Sequence, residues 1–335
     1  MLKVTVKAPG EITYQDVPTP EPREGEALIS VKSVGLCYSD IAPYKGNNLD
    51  VFPLPMVQGH EFGGIIEDIH GKSENFKPGM KVAIYPLTEC GECYYCKKGM
   101  QLLCENQVMF GSSQKEGGMA EKIAVPLKSL VKLNDNFDIS FAGIIEPATV
   151  AYRTIEGIKD SNIIIIGTGA IGLMMQQICK HNNNKVIAAD IMDQSLDAAK
   201  ELGVDLVVNI NGNEKIIAVN KFLKNEKVDV VIINILTKEN IQYAMDIVRK
   251  DGLIIYIGLP KKIEVDFSPI LFKALKIKGS ISYNIEHFKA ASRLVQRGDI
   301  DYRRIVTRMF PMDHAKEAYE FKANTPSLKV ILVNK

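Results

Sequence analysis

The chain has 335 residues, 46% of them hydrophobic, and 41 basic against 40 acidic side chains give a net charge of +1. That length can bury a full core and favours two domains over one. So neutral a balance supplies no field for nucleic acid or an anionic membrane surface, which leaves a small molecule as the expected partner.

At the N-terminus, Met1-Leu2-Lys3-Val4-Thr5-Val6 alternates like a strand and runs into Pro9-Gly10, so no export signal is read there. The first 150 residues carry short alternating runs, at 26–32 and 80–85 for example, punctuated by turn residues such as Pro78-Gly79. They are expected to be mostly β. Cys37 lies in Gly35-Leu36-Cys37-Tyr38-Ser39-Asp40, His60 in Gly59-His60-Glu61-Phe62-Gly63-Gly64, and Glu146 directly before Pro147. Each is zinc-competent, and three mixed ligands would leave the open position that a catalytic zinc requires. Each also has an ordinary reading as a core thiol, a hydrogen-bonded imidazole or a carboxylate closing a turn, and spacing alone does not assemble them.

Between these residues, Cys90, Cys93, Cys96 and Cys104 crowd into one short segment. Cysteines three apart make poor disulfide partners, and a chain without an export signal is expected in the reducing cytoplasm. Four thiolates would instead close a tetrahedral zinc shell with no open position, which implies a structural role.

From about residue 162 the texture changes. Near-continuous apolar strands at 162–166, 185–189, 206–209, 228–235, 253–257 and 277–281 alternate with helical stretches, the pattern of a parallel sheet covered on both faces. The most apolar stretch, 163–175, is interrupted by glycines and is shorter than the roughly 20 residues of a membrane helix, so a soluble chain is expected. The first of these strands runs into Gly167-Thr168-Gly169-Ala170-Ile171-Gly172 and then a helix. In that context the glycines let backbone N–H groups and the helix N-terminus hold a dinucleotide pyrophosphate. The next strand ends at Asp190, 21 residues beyond Gly169. A carboxylate there accepts the ribose hydroxyls of NAD and repels the 2′-phosphate of NADP, although helix capping is an alternative role. After Tyr283, helical patterns at 286–297 and around 313–321 precede a last strand from Lys329 to Val333. This tail leaves the strand–helix rhythm. A discontinuous catalytic domain of 1–150 and 285–335 is therefore expected around a dinucleotide-binding domain of 151–284.

Gly59-His60-Glu61 with its trailing glycines, the four-cysteine lobe, Gly117-Gly118-Met119-Ala120-Glu121 and the glycine loop, in this order, resemble the zinc-containing medium-chain alcohol dehydrogenase family over essentially the whole chain. The resemblance implies an α/β fold with a mostly-β, GroES-like catalytic domain and a doubly wound parallel Rossmann domain. It implies NAD and two zinc ions per chain, the catalytic zinc on Cys37, His60 and Glu146 with Glu61 as an alternating or outer carboxylate, and the structural zinc on the four cysteines. Ser39 matches the hydroxyl that begins the family's proton relay. An apolar strand at 275–282 resembles the family's pairing strand, so a homodimer or homotetramer is expected.

The stretches 110–121 and 145–150 look most like the polyol branch, galactitol-1-phosphate 5-dehydrogenases included. Two features depart from its neighbours: position 42 is Ala where a relay histidine often stands, and no histidine precedes the cysteine lobe as in threonine dehydrogenases. Sorbitol-, butanediol- or threonine-type chemistry is the nearer alternative, and a non-catalytic zinc-ribbon binding module the more distant one. A polyol phosphate would need a cation, and Lys45 is the candidate, with a solvated surface lysine as its ordinary reading.

Overall fold

The computed structural model describes residues 1–112, 115–211, 215–258 and 262–334. The chain divides into two compact units, the first comprising Met1–Thr149, Tyr283–Gln296 and Val306–Lys335, the second Val150–Ser282 and Arg297–Ile305.

The first unit is organised by the strand Glu26–Leu36, whose β-branched and apolar residues are buried along most of its length. In its seven-stranded sheet the order runs Val306–Pro311, Lys329–Val333, Glu26–Leu36, Glu61–His70, Lys81–Ile84 and Leu130–Lys132, with Lys122–Pro126 pairing separately on Glu26–Leu36. Val34, Leu36, Phe62, Ile84, Phe110, Met119, Val330 and Leu332 meet in the core of this unit. Each such side chain contributes about 1.5–3 kcal/mol on burial. The last strand is thus an interior strand, with Val330 opposite Leu36 and Ile331 opposite Gly35.

In the second unit, among the described residues, six strands form a wholly parallel sheet in the order Leu206–Asn209, Lys185–Asp190, Asn162–Ile166, Val228–Ile233, Val248–Tyr256, Lys276–Gly279. Numbered along the chain this order is 3-2-1-4-5-6, the doubly wound arrangement whose strand order reverses beside the first strand. The α/β class expected from the sequence is the one observed. The segment Arg297–Ile305 groups with this unit rather than with the 285–335 tail, because Gln177 Oε1 accepts from Asp301 N at 2.7 Å and the His181 ring meets the Asp299 carbonyl at 3.0 Å. No described helix is long and apolar enough to cross a membrane.

Candidate metal centres and dinucleotide loop

Two segments of the first unit deliver three side chains to a common point. Cys37 caps the helix Tyr38–Tyr44, where its N–H donates to Asp40 Oδ2 at 2.8 Å. His60 precedes the strand Glu61–His70, and Glu61 opens it opposite Gly35. A β-carbon at position 35 would lie 2.1 Å from Glu61 Oε2, so only glycine leaves room for that carboxylate. The ligand atoms of Cys37, His60 and Glu61 lie within 4.8 Å of one another.

Glu146, on the first turn of the helix Ile145–Ile155, is not part of that trio; its Oε1 accepts from the Tyr283 hydroxyl at 2.5 Å. Tyr283 is itself fixed against the Tyr85 ring at 6.0 Å and the Phe288 ring at 6.5 Å. His60 Nδ1 faces Asp40 Oδ1 at 3.8 Å. Ser39 is half-buried beside Cys37, and Ala42 is buried.

Several buried ionisable groups crowd around this point. Asp40, His60, Glu61 and Glu146 are all buried, and burial pushes the pKa values of Asp40 and Glu146 upward. Burial disfavours the His60 imidazolium, yet Asp40, Cys37 and Glu146 together lift its pKa well above the ordinary range. One positive charge is supplied within this group by Lys329, a buried residue whose Nζ reaches Glu61 Oε1 at 2.8 Å and Oε2 at 2.7 Å. Burial works against its ammonium, but Glu61, with Cys37 and Glu146 behind it, holds the pKa above the usual lysine value. A thiol, an imidazole and two more carboxylates remain around it, a donor set suited to zinc.

The second group is the cysteine lobe. Cys90 Sγ lies 4.0 Å from Cys96 Sγ and 3.5 Å from Cys104 Sγ, and Cys93 completes the cluster. A tetrahedron with Zn–S bonds of about 2.3 Å has S···S edges of about 3.8 Å, so the four sulfurs already approximate such a shell. Backbone N–H groups donate to two of them, Cys93 N to Cys90 Sγ at 3.4 Å and Cys90 N to Cys104 Sγ at 3.3 Å, the partners a thiolate needs. Backbone bonds from Glu92 and Cys93 draw the Cys90 thiol down to about 6.

The glycine loop follows the strand Asn162–Ile166 and leads into the helix Ala170–His181, with Gly169 at its N-cap. Asp190 ends the neighbouring strand and is buried. Its Oδ2 accepts from Thr168 N at 2.7 Å and Thr168 Oγ1 at 3.1 Å, and its Oδ1 from Ile191 N at 2.7 Å and Met192 N at 3.0 Å. Asp190 therefore anchors both the loop and the turn before the helix Asp193–Glu201, a structural role beside the one expected of it.

Lys45 is exposed, and its ammonium donates to the Ala323 carbonyl at 3.1 Å. Ser113 and Gln114, part of the stretch carrying the polyol likeness, lie outside the described residues. Sequence reasoning missed Lys329 and Tyr283. A lysine opening a wholly apolar strand was the one available signal, since buried lysines need a counter-charge.

A buried thiol–imidazole–carboxylate cluster, a four-cysteine lobe and a doubly wound sheet with a glycine loop point to the class of zinc-type oxidoreductases. Residues 23–135 match the alcohol dehydrogenase GroES-like domain, and residues 170–297 match the zinc-binding dehydrogenase domain. An uncharacterized zinc-type alcohol dehydrogenase-like protein of Haemophilus influenzae is 32% identical over 314 residues, 91% of this chain and 90% of that one. An L-threonine 3-dehydrogenase of Legionella pneumophila is 29% identical over 99% of both chains. The crystal structure of galactitol-1-phosphate dehydrogenase from Escherichia coli superposes with a TM-score of 0.91 at 26% identity, covering 99% of this chain and 100% of that one. The chain belongs to the zinc-containing medium-chain alcohol dehydrogenase family and is an enzyme of that class.

Proposed function

We propose that this enzyme oxidises a secondary alcohol of a polyol or polyol phosphate with NAD, galactitol 1-phosphate being the first substrate to try. The observation that carries the reading is Glu146, a buried carboxylate held by Tyr283; by the family resemblance, ethanol-type enzymes have a cysteine at the matching position. The likeness to the Escherichia coli galactitol-1-phosphate dehydrogenase supports the same branch.

Cys37, His60 and a carboxylate, Glu146 or Glu61, would hold the catalytic zinc, and Cys90, Cys93, Cys96 and Cys104 the structural one. Zinc supplies a Lewis acid for the alcohol oxygen, and NAD a hydride acceptor. The protein's own part is to bury the site, to hold both Glu61 oxygens in place through Lys329, and to offer the Ser39 hydroxyl beside Cys37 as the first carrier of the departing proton. Ala42 offers only a methyl group, which cannot carry a proton, so the proton leaves from Ser39 to water, or else through Glu61. Gly167, Gly169, Ala170, Ile171 and Gly172 would hold the pyrophosphate and Asp190 the ribose.

The deciding experiment compares kcat/KM with NAD for galactitol 1-phosphate, galactitol, sorbitol, 2,3-butanediol and threonine, and repeats the best phosphorylated substrate in Lys45→Ala. Galactitol 1-phosphate is expected to lead. If threonine or the simple diol leads by about tenfold, roughly 1.4 kcal/mol of transition-state discrimination, the polyol reading is wrong. The threonine enzyme of Legionella pneumophila, similar over its full length, makes that the second reading.

A further inference from the structure

Asn234 lies directly beyond the strand Val228–Ile233, next to the glycine loop in space but 67 residues from it in sequence. Its backbone N–H extends the sheet by donating to the Ile166 carbonyl at 2.9 Å. Its side chain does something the sheet does not require. Nδ2 donates to the Gly167 carbonyl at 2.7 Å, a carbonyl that points across the loop toward the first turn of the helix Ala170–His181. A β-carbon at Gly172 would sit 2.3 Å from that same oxygen and 3.2 Å from Nδ2, so helix, loop carbonyl and amide close on one another with no space for a side chain.

The amide orientation follows from chemistry. Gly167 O can only accept, so the NH2 group must face it and Oδ1 must point away. There, among the described residues, Oδ1 is buried and no hydrogen-bond donor reaches it. A buried acceptor without a donor is destabilising. Alanine would remove that orphaned acceptor but would also take the amide donor from the Gly167 carbonyl, so what Asn234 adds over alanine is its bond to Gly167. On the opposite flank Asp190 grips Thr168 through both its N–H and its hydroxyl. The loop is thereby fastened by one side chain from the end of each strand flanking Asn162–Ile166.

We propose that Asn234 is a positioning residue for the dinucleotide loop: by fixing the Gly167 carbonyl it presets the loop N–H groups for the pyrophosphate, so that binding does not have to order them. The proposal rests on the reading of residues 167–172 as the cofactor loop. Rigidifying a binding segment acts on affinity by removing the ordering cost from the binding step.

The test measures NADH binding by fluorescence titration of the zinc-loaded enzyme, for the unmodified chain, Asn234→Ala and Asn234→Asp, with thermal midpoints and amide exchange at residues 167–169 alongside. Asn234→Ala should weaken NADH binding roughly threefold to tenfold, the range of one net hydrogen bond. Its midpoint should shift by no more than about 5 °C, exchange in the loop should quicken, and the cofactor KM should rise more than kcat falls. Asn234→Asp, which sets a carboxylate against the Gly167 carbonyl, should bind at least as weakly as Asn234→Ala. Unchanged NADH affinity and loop exchange in Asn234→Ala would overturn the positioning role while leaving the cofactor reading intact. Failure of the unmodified enzyme to bind NADH would overturn both.

Discussion

Both oxygens of Glu61 are committed to Lys329 although Cys37 and His60 stand within reach of the same carboxylate. A buried ion pair of this kind adds little net stability, but removing one partner costs about 3–5 kcal/mol because the other is left as a bare buried charge. Among the described residues Cys37 has no such ionic partner, and His60 has only the longer contact to Asp40 at 3.8 Å. Cys37→Ala or His60→Ala is therefore expected to leave a folded chain whose turnover drops by at least about a hundredfold, beyond what losing a mere supporting contact to a metal ligand causes. Cys93→Ala should behave in the opposite way, losing lobe order and lowering the melting midpoint by roughly 5 °C or more, since such a lobe derives its order from its metal. Zinc content, circular dichroism and kcat on the three purified variants decide the matter. Normal turnover in a metal-verified Cys37→Ala protein removes Cys37 from the site.

Element by element, the parallel sheet was plain in the sequence because strands buried on both faces must be apolar throughout: Asn162–Ile166 and Leu206–Asn209 begin and end where expected. The four-cysteine lobe and the glycine loop were plain for a related reason, since the chemistry of each lies within one short run, residues 90–104 and 167–172. What stayed hidden was long-range. Tyr283 meets Glu146 across 137 residues and Lys329 meets Glu61 across 268, and no local pattern announces either bond. Asp190 shows how an element can serve two ends at once. Its carboxylate accepts four bonds from its own loop and turn, so Asp190→Ala should narrow the NAD-over-NADP preference and also slacken the loop, at a cost of about 2–3 kcal/mol for the lost charge-assisted bonds. Ratios of kcat/KM for the two cofactors, read with thermal midpoints, test both effects. An unmodified enzyme that uses NAD and NADP equally well would contradict the ribose assignment.

For the whole molecule, the sheet of the second unit ends in the strand Lys276–Gly279, and the flanking residues Leu271, Phe272 and Ile281 are 79%, 77% and 71% exposed. A bare sheet edge beside exposed large apolar side chains invites a second copy, and dimerisation would cover both. Light scattering at micromolar concentration should give twice the chain mass or four times it, and Ile281→Asp should shift the population toward monomer; a monomer in the unmodified protein would refute the pairing. The interior place of the strand Lys329–Val333 bears on how the molecule is made. Ribosomal synthesis releases the second unit's sheet while the first still lacks the strand that joins Val306–Pro311 to Glu26–Leu36. Until residue 329 emerges, Glu61 has no ammonium to face it. The charge that faces Glu61 is thus carried by a strand synthesised after every strand of the second unit's sheet, so this buried cluster of the first unit is completed only once that sheet's residues have been made.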